Sequence, residues 1–251
     1  MSLSARGAAA FAAALTLSGV PAVAEAQQAT SPAQPPVQGL YASAGATRYS
    51  TPDGRVRFVF DRSGRSAAAL VQFEGDDEVH VLRPVRGGAA GGGEIYQNED
   101  ASIMLRVNPH GTITVYTRAI RTGAPVSEVG SAGPLTPEAV AFEQMQQRFR
   151  ALQQRTSRSV GQTITFTVPA RLSAPVAGLV VDAAERAAEG LAAAPMTTVR
   201  HVIITLGPAP RALLRGDQLL IVVAPQMGYA GRPSSRTIRN VVTGAVAGPE
   251  Q

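Results

Sequence analysis

Residues 228–239 read GYAGRPSSRTIR, a run whose residue types suit anion binding. Gly228 and Gly231 give the backbone freedom to turn. Ser234 or Ser235 is placed to cap a following helix, and Arg232, Arg236 and Arg239 add charge that does not titrate. A helix start aims N–H groups and a positive end at whatever lies before it. Phosphate, carboxylate or sulfate would be held there by N–H groups, hydroxyls and a guanidinium fork. The competing reading is a strand-to-helix connection whose arginines pair with acids or water. A glycine-rich loop alone favours that second reading.

Other chemistry is sparse. His80, His110 and His201 lie far apart, and none belongs to HExxH or another two-histidine ligand spacing. No G-x-S-x-G elbow exists; residues 130–133 (GSAG) lack its spacing. The absence of cysteine removes thiolate nucleophiles, thiolate metal sites and disulfides. All 23 basic residues are arginine, so a P-loop lysine, a Schiff-base lysine and a Ser–Lys dyad are excluded. Glu74, Asp76, Asp77 and Glu78 lack the spacing and glycine of an EF-hand loop and read as a solvated hairpin turn. Arg215-Gly216-Asp217 reads as a tight turn between apolar segments. The expectation is a non-enzymatic protein with no metal site and no cofactor.

The elements that must position the 228–239 run fall into two groups. Residues 47–117 alternate apolar and polar side chains in about six short runs separated by turn signals, the pattern of antiparallel β structure. In the last hairpin Ile103, Leu105 and Val107 are expected to face Ile113 and Val115. After residues 121–134, rich in glycine and proline, Thr136 and Pro137 mark a helix start. Phe142, Met145, Phe149 and Leu152 form its apolar stripe. Residues 163–168 read as a strand, and Ser173 caps a helix to about residue 193 with the Asp182/Arg186 pair outward. Residues 199–206 form a central strand in which His201 is a core histidine. Strand segments at 211–214 and 218–224 and the final helix complete the chain. The fold class is α+β: an N-terminal antiparallel β meander or small barrel, then a smaller α-β-α-β-β-α domain.

The ends speak of location. Residues 1–26 carry a basic n-region (Arg6), an apolar run (AAAFAAALTL) and small-residue cleavage sites, as a Sec-type signal peptide does. The organisation expected is a signal peptide at 1–26, a disordered proline-rich linker at 27–44, a β-rich domain at 45–120, a linker at 121–134, an α+β domain at 135–246 and a tail at 247–251. Export to the periplasm or medium follows, with no transmembrane anchor after signal cleavage. Residues 27–137 hold 10 arginines and 10 acids, whereas 138–251 hold 12 arginines and 7 acids, so the formal +5 belongs to the second half. A basic exported half suits an anionic envelope component or a periplasmic protein partner. Few aromatics, not interleaved with arginine, argue against nucleic acid.

At 228–235 (GYAGRPSS), with 58–75 (FVFDRSGRSAAALVQFEG) and 94–100 (EIYQNED), the chain resembles a family of uncharacterised exported alphaproteobacterial proteins, a domain of unknown function. That resemblance covers nearly the whole mature chain and implies the compartment and the two-part architecture, with no activity attached. The second half is similar to the scaffold of zinc metallopeptidases, whose last helix carries HExxH. Here that helix reads SSRTIRNVVTGA, so a shared scaffold implies that catalysis is absent. The first half looks like periplasmic lysozyme inhibitors, small β-barrels opening near Tyr-x-x-x-Asp-Gly. Tyr49-Ser50-Thr51-Pro52-Asp53-Gly54 matches that element, while the later Ser-Gly-x-x-Tyr and Lys-Gly elements are missing or altered. The leading expectation is therefore a periplasmic binding protein. The alternative is an inhibitor of a lysozyme-like or peptidase enzyme acting through the β domain and the 87–93 loop.

Overall fold

The computed structural model describes residues 45–64, 67–88, 91–169, 171–194 and 196–245. The expected signal peptide, the 27–44 linker and the 247–251 tail lie outside the described residues, as do positions 89 and 90 of the glycine loop. The described residues all belong to one unit spanning 38–251.

Eight antiparallel strands, β1 (Ala46–Ser50), β2 (Arg57–Asp61), β3 (Ala69–Phe73), β4 (His80–Pro84), β5 (Glu94–Gln97), β6 (Ile103–Val107), β7 (Ile113–Thr117) and β8 (Ala124–Ser131), pair in sequence order. β8 returns to β1, so the sheet closes into a barrel. Closure removes both sheet edges. Side chains alternate in and out along each strand, and in a barrel of this size the inward ones fill the interior. Tyr49, Phe58, Phe60, Leu82, Tyr96, Leu105 and Val115 do so here. Tyr49 stacks on Phe58 at 5.7 Å between centroids, and Phe60 meets Tyr96 edge-on at 5.6 Å. The expected last hairpin is present, with Leu105 opposite Val115 and Val107 opposite Ile113. Gly111, at φ 84, supplies the left-handed residue that its turn requires.

Eight strands stand where six were expected, because the two closing strands carry little apolar pattern. β1 (ATRYS) holds two apolar residues, and β8 (APVSEVGS) buries only Val126. Residues 121–134 are consequently not a linker; most of them form β8, paired to β7 and β1.

The second part packs three helices on one face of a four-stranded sheet. Its elements are α1 (Phe142–Val160), β9 (Thr165–Thr167), α2 (Ala174–Ala192), β10 (His201–Leu206), β11 (Arg211–Arg215), β12 (Gln218–Val223), a 3-10 segment (Pro225–Gly231) and α3 (Ser235–Thr243). Strand order is β11-β12-β10-β9, parallel except for the β11–β12 hairpin. The expected segments at 211–214 and 218–224 are both present, as β11 and β12 joined at Gly216-Asp217, so the part runs α-β-α-β-β-β-α, one strand more than the expected α-β-α-β-β-α. Leu179, Val180, Ala183, Ala187 and Leu191 of α2 bury against Val202, Ile204, Leu219, Ile221 and Val223. α1 starts at Phe142, later than Thr136, with Ala141 as N-cap and no side-chain cap. Residues 132–141 instead form neither helix nor strand, and the Val140 N–H donates to the Ala174 carbonyl at 3.0 Å. Met145 and Leu152 of the expected stripe are buried, but Phe142 is exposed.

Two side chains depart from expectation. Arg186 points inward and is 1% exposed, because carboxylates surround it there. His201 lies on the sheet face away from the helices, half exposed, with its ring bonded to Thr165 Oγ1 at 2.7 Å.

Candidate functional site

β12 delivers the chain to the helix start through a tight loop. Gly228 takes φ 55 and ψ −138, a conformation open to glycine and strained for other residues. At Gly231 an added Cβ would collide with the Ala224 carbonyl, and the Ala224 N–H donates to Gly231 O at 2.7 Å. These two glycines pinch the loop shut and turn Arg232 inward, where it is 4% exposed. Its guanidinium lies 5.6 Å from the Tyr229 ring centroid. Its Nη2 donates to the Val79 carbonyl at 2.9 Å, Nη1 stands 3.8 Å from Glu78, and Nε pairs with Asp182.

Arg232 is half of a buried network. Arg186 reaches Glu189 at 3.0 Å, Glu78 at 3.5 Å, Asp182 at 3.7 Å and Glu185 at 3.9 Å. Two arginines thus face four carboxylates, one of them from the barrel and three from α2. Burial pushes the Asp182 carboxyl up, against the pull of Arg232 and Arg186. Burial and the Asp182 charge do the same for Glu185. Glu189 is raised to about 7, first by burial and then by Glu78 and Asp182, with Arg186 opposing. Burial would lower Arg186, but Asp182 and its other carboxylate neighbours outweigh it and raise its affinity for the proton. These groups line a groove of about 530 Å³ beside α1 and α2, which Arg148 and Arg155 also border.

The start of α3 meets the barrel. Ser234 is the N-cap: it accepts from the Thr237 N–H at 3.0 Å and donates to Glu99 at 2.7 Å. Thr237 donates to the other Glu99 oxygen. Ser235 donates to Glu78 at 3.1 Å, and Arg236 lies 2.6 Å from Asp100. Glu99 and Asp100 are presented by the β5–β6 turn, in which Ala101 adopts φ 52, the one non-glycine positive φ among the described residues. That turn is tied by Ser102, whose hydroxyl donates to Asp100 at 2.7 Å, and by the Ile103 N–H, which donates to Asn98 at 3.0 Å. Burial pushes the Asp100 carboxyl up, but Ser102 and Arg118 outweigh it and hold it below the usual carboxylate range.

Of the seven residues singled out in sequence, Gly228 and Gly231 shape the loop, while Arg232, Ser234, Ser235 and Arg236 converge on the barrel. Arg239 makes no side-chain ion pair among the described residues. The anions at the junction come from the chain itself: Glu78, Glu99, Asp100 and Asp182. Sequence reasoning set Glu78 in a solvated turn and Asp182 in an outward pair with Arg186, and gave Glu99 and Asp100 no role. Glu78 is not solvated as that turn suggested, because Arg186, Arg232 and Ser235 enclose it. Asp76 instead bonds His80 at 2.9 Å. His80, His110 and His201 sit on separate elements. Tyr49 of the Tyr49–Gly54 element is buried in the barrel core, and Asp53 accepts from Thr51 at 2.6 Å within the β1–β2 turn.

Beside the junction the barrel mouth opens into a cleft of about 690 Å³. Val56, Phe73, Val81 and Ile103 give it an apolar side, and His80, Arg83, Asp100, Arg118 and Arg236 a polar one. Asp100 Oδ2 is shared by Arg236 and by Arg118, 3.0 Å away, so one carboxylate oxygen serves two guanidiniums. No helix among the described residues is long and apolar enough to cross a membrane.

No curated protein and no solved structure matches the chain. A family described as a domain of unknown function, DUF4908, matches residues 26–242. Because that match takes in the barrel, the glycine–arginine junction and both long helices, the chain belongs to the DUF4908 family.

Proposed function

We propose that this is an exported, non-enzymatic binding protein that takes an anionic component of the cell envelope at the barrel mouth. The observation that carries the reading is the sharing of Asp100 between Arg118 and Arg236 at the edge of the cleft. Acids balance arginines in the cleft lining, with Asp76, Glu78, Glu99 and Asp100 against Arg83, Arg118, Arg232 and Arg236, so a ligand carboxylate or phosphate would be taken by the guanidinium N–H groups that the one shared Asp100 oxygen leaves over. The apolar side of the cleft would take the body of such a ligand, and barrel mouths are a common place for binding sites. Export rests on the pattern of residues 1–26, and the non-enzymatic reading on a sequence with no HExxH, no G-x-S-x-G elbow, no cysteine and no lysine.

The test is equilibrium binding of anionic lipid, glycan and peptidoglycan fractions to the mature chain at low and high salt. Binding should weaken with salt, and an Arg118→Ala/Arg236→Ala double variant, checked by circular dichroism to be folded at the assay temperature, should weaken it further. No binding at low salt, or binding indifferent to that double substitution, refutes the reading.

A further inference from the structure

The helices cover one face of the β11-β12-β10-β9 sheet, and among the described residues no helix or strand covers the other. Register places Leu213, Leu220 and Ile203 side by side across β11, β12 and β10, on the face opposite the core. Val222 lies on the same face one row away, directly opposite Arg211 on β11. All four apolar side chains are half-buried, while their inward neighbours Ala212, Leu219, Ile221, Val202 and Ile204 are buried under α2 and α3. A solvated sheet face ordinarily alternates to polar residues. This one keeps a central apolar row about 10 Å wide, since adjacent strands stand about 4.8 Å apart, and that width matches one helix.

The rim of the face decides what fits it. Arg211 and Arg215 stand exposed at the two ends of edge strand β11 on this same face. His201 and Gln218 continue the row of Arg215, and Asp217 in the hairpin turn lies 3.8 Å from His201. A second copy of the chain laid on this face would offer those arginines a rim that is itself basic, with Asp217 as its acid, whereas an acidic partner pairs with both. We propose that the open sheet face docks an acidic amphipathic helix of a protein partner, its apolar stripe on Leu213, Leu220, Ile203 and Val222 and its carboxylates against Arg211 and Arg215. Such a helix completes a three-layer arrangement of the kind sheets adopt when both faces are apolar.

The test uses the full chain and two synthetic helices with leucines along one side, one flanked by glutamates and one by lysines, followed by fluorescence anisotropy at low salt. The glutamate-flanked helix should bind saturably, and Arg211→Glu/Arg215→Glu should weaken it by roughly ten-fold or more while admitting the lysine-flanked one. Leu220→Thr, a substitution that suits an open strand face, should also weaken binding with an unchanged melting temperature. Equal binding by wild type and both variants overturns the proposal. So does a failure of the glutamate-flanked helix to bind. Arginine-dependent binding of phosphatidylglycerol vesicles without helix binding would assign the face to a lipid surface. Sedimentation showing a dimer that Leu220→Thr dissociates would assign it to a second copy.

Discussion

Replacing Arg232 by alanine separates an architectural junction from a ligand site. The wild-type guanidinium is almost wholly enclosed, with its side chain 1% exposed, and it serves Asp182, Glu78 and the Val79 carbonyl together. Removing it leaves Asp182 and Glu78 with Arg186 as their one shared cation, and leaves the Val79 carbonyl without that donor. Breaking a buried pair in this way costs about 3–5 kcal/mol, because the charge left behind stays desolvated. At this chain length about 1 kcal/mol moves Tm by 2–4 °C, so Arg232→Ala should melt roughly 6–20 °C below wild type. Arg236→Ala is the control. Its side chain is a third exposed and Asp100 keeps Arg118 and Ser102, so the loss should stay below about 1 kcal/mol. Circular dichroism melts of both variants at neutral pH read the contrast directly. At mildly acid pH the Arg232→Ala deficit should shrink, since burial already raises the Asp182 carboxyl and a proton can stand in for the missing cation. An Arg232→Ala variant that melts with wild type yet loses anion binding would refute this reasoning and make Arg232 a ligand residue.

Two further perturbations test the same network and its surroundings. Glu189 is raised to about 7 in the folded chain from an ordinary 4.5, so the native state holds a proton that the unfolded chain gives up between those values. Stability from this group is therefore present below the ordinary carboxylate range and lost as pH rises through about 7; Asp182 and Glu185 add in the same direction. Thermal melts should give a higher Tm near about pH 5 than near about pH 8, and Glu189→Gln should flatten the difference; a Tm that rises across that interval contradicts the assignment. Gly178 lies within α2, where alanine ordinarily helps by about 1 kcal/mol, yet a Cβ there would meet the Glu138 carbonyl of the 132–141 segment. Gly178→Ala should instead destabilise by about 1–3 kcal/mol, measured by urea unfolding, and a stabilised variant would mean that segment is not seated on α2.

The parts of the fold legible in sequence are those whose own side chains make the case. The hairpin of β6 and β7 alternates cleanly, and α2 carries enough small and apolar residues to declare its buried side. β1 and β8 were hidden because a closing strand gains its stability from neighbours on both edges, so a polar sequence such as APVSEVGS can serve. The charged site was hidden for a related reason. A sequence shows that Arg186 stands one helical turn from Asp182, which on an isolated helix is a surface pair. Whether that pair faces water depends on what covers the helix, and here the cover is Glu78 from the barrel and Arg232 from the junction. The same logic governs the 228–239 run. Its glycines, serines and arginines do make a helix start suited to carboxylates, as their types imply. The turn at Glu99 and Asp100 and the acid at Glu78 reach that helix start from far away in sequence, and no local spacing could announce them. An anion held by Arg118 and Arg236 would therefore act on the very residues that join barrel and α3, because both arginines already hold Asp100. Such an anion would draw on the same charges that seat the barrel on the helical part.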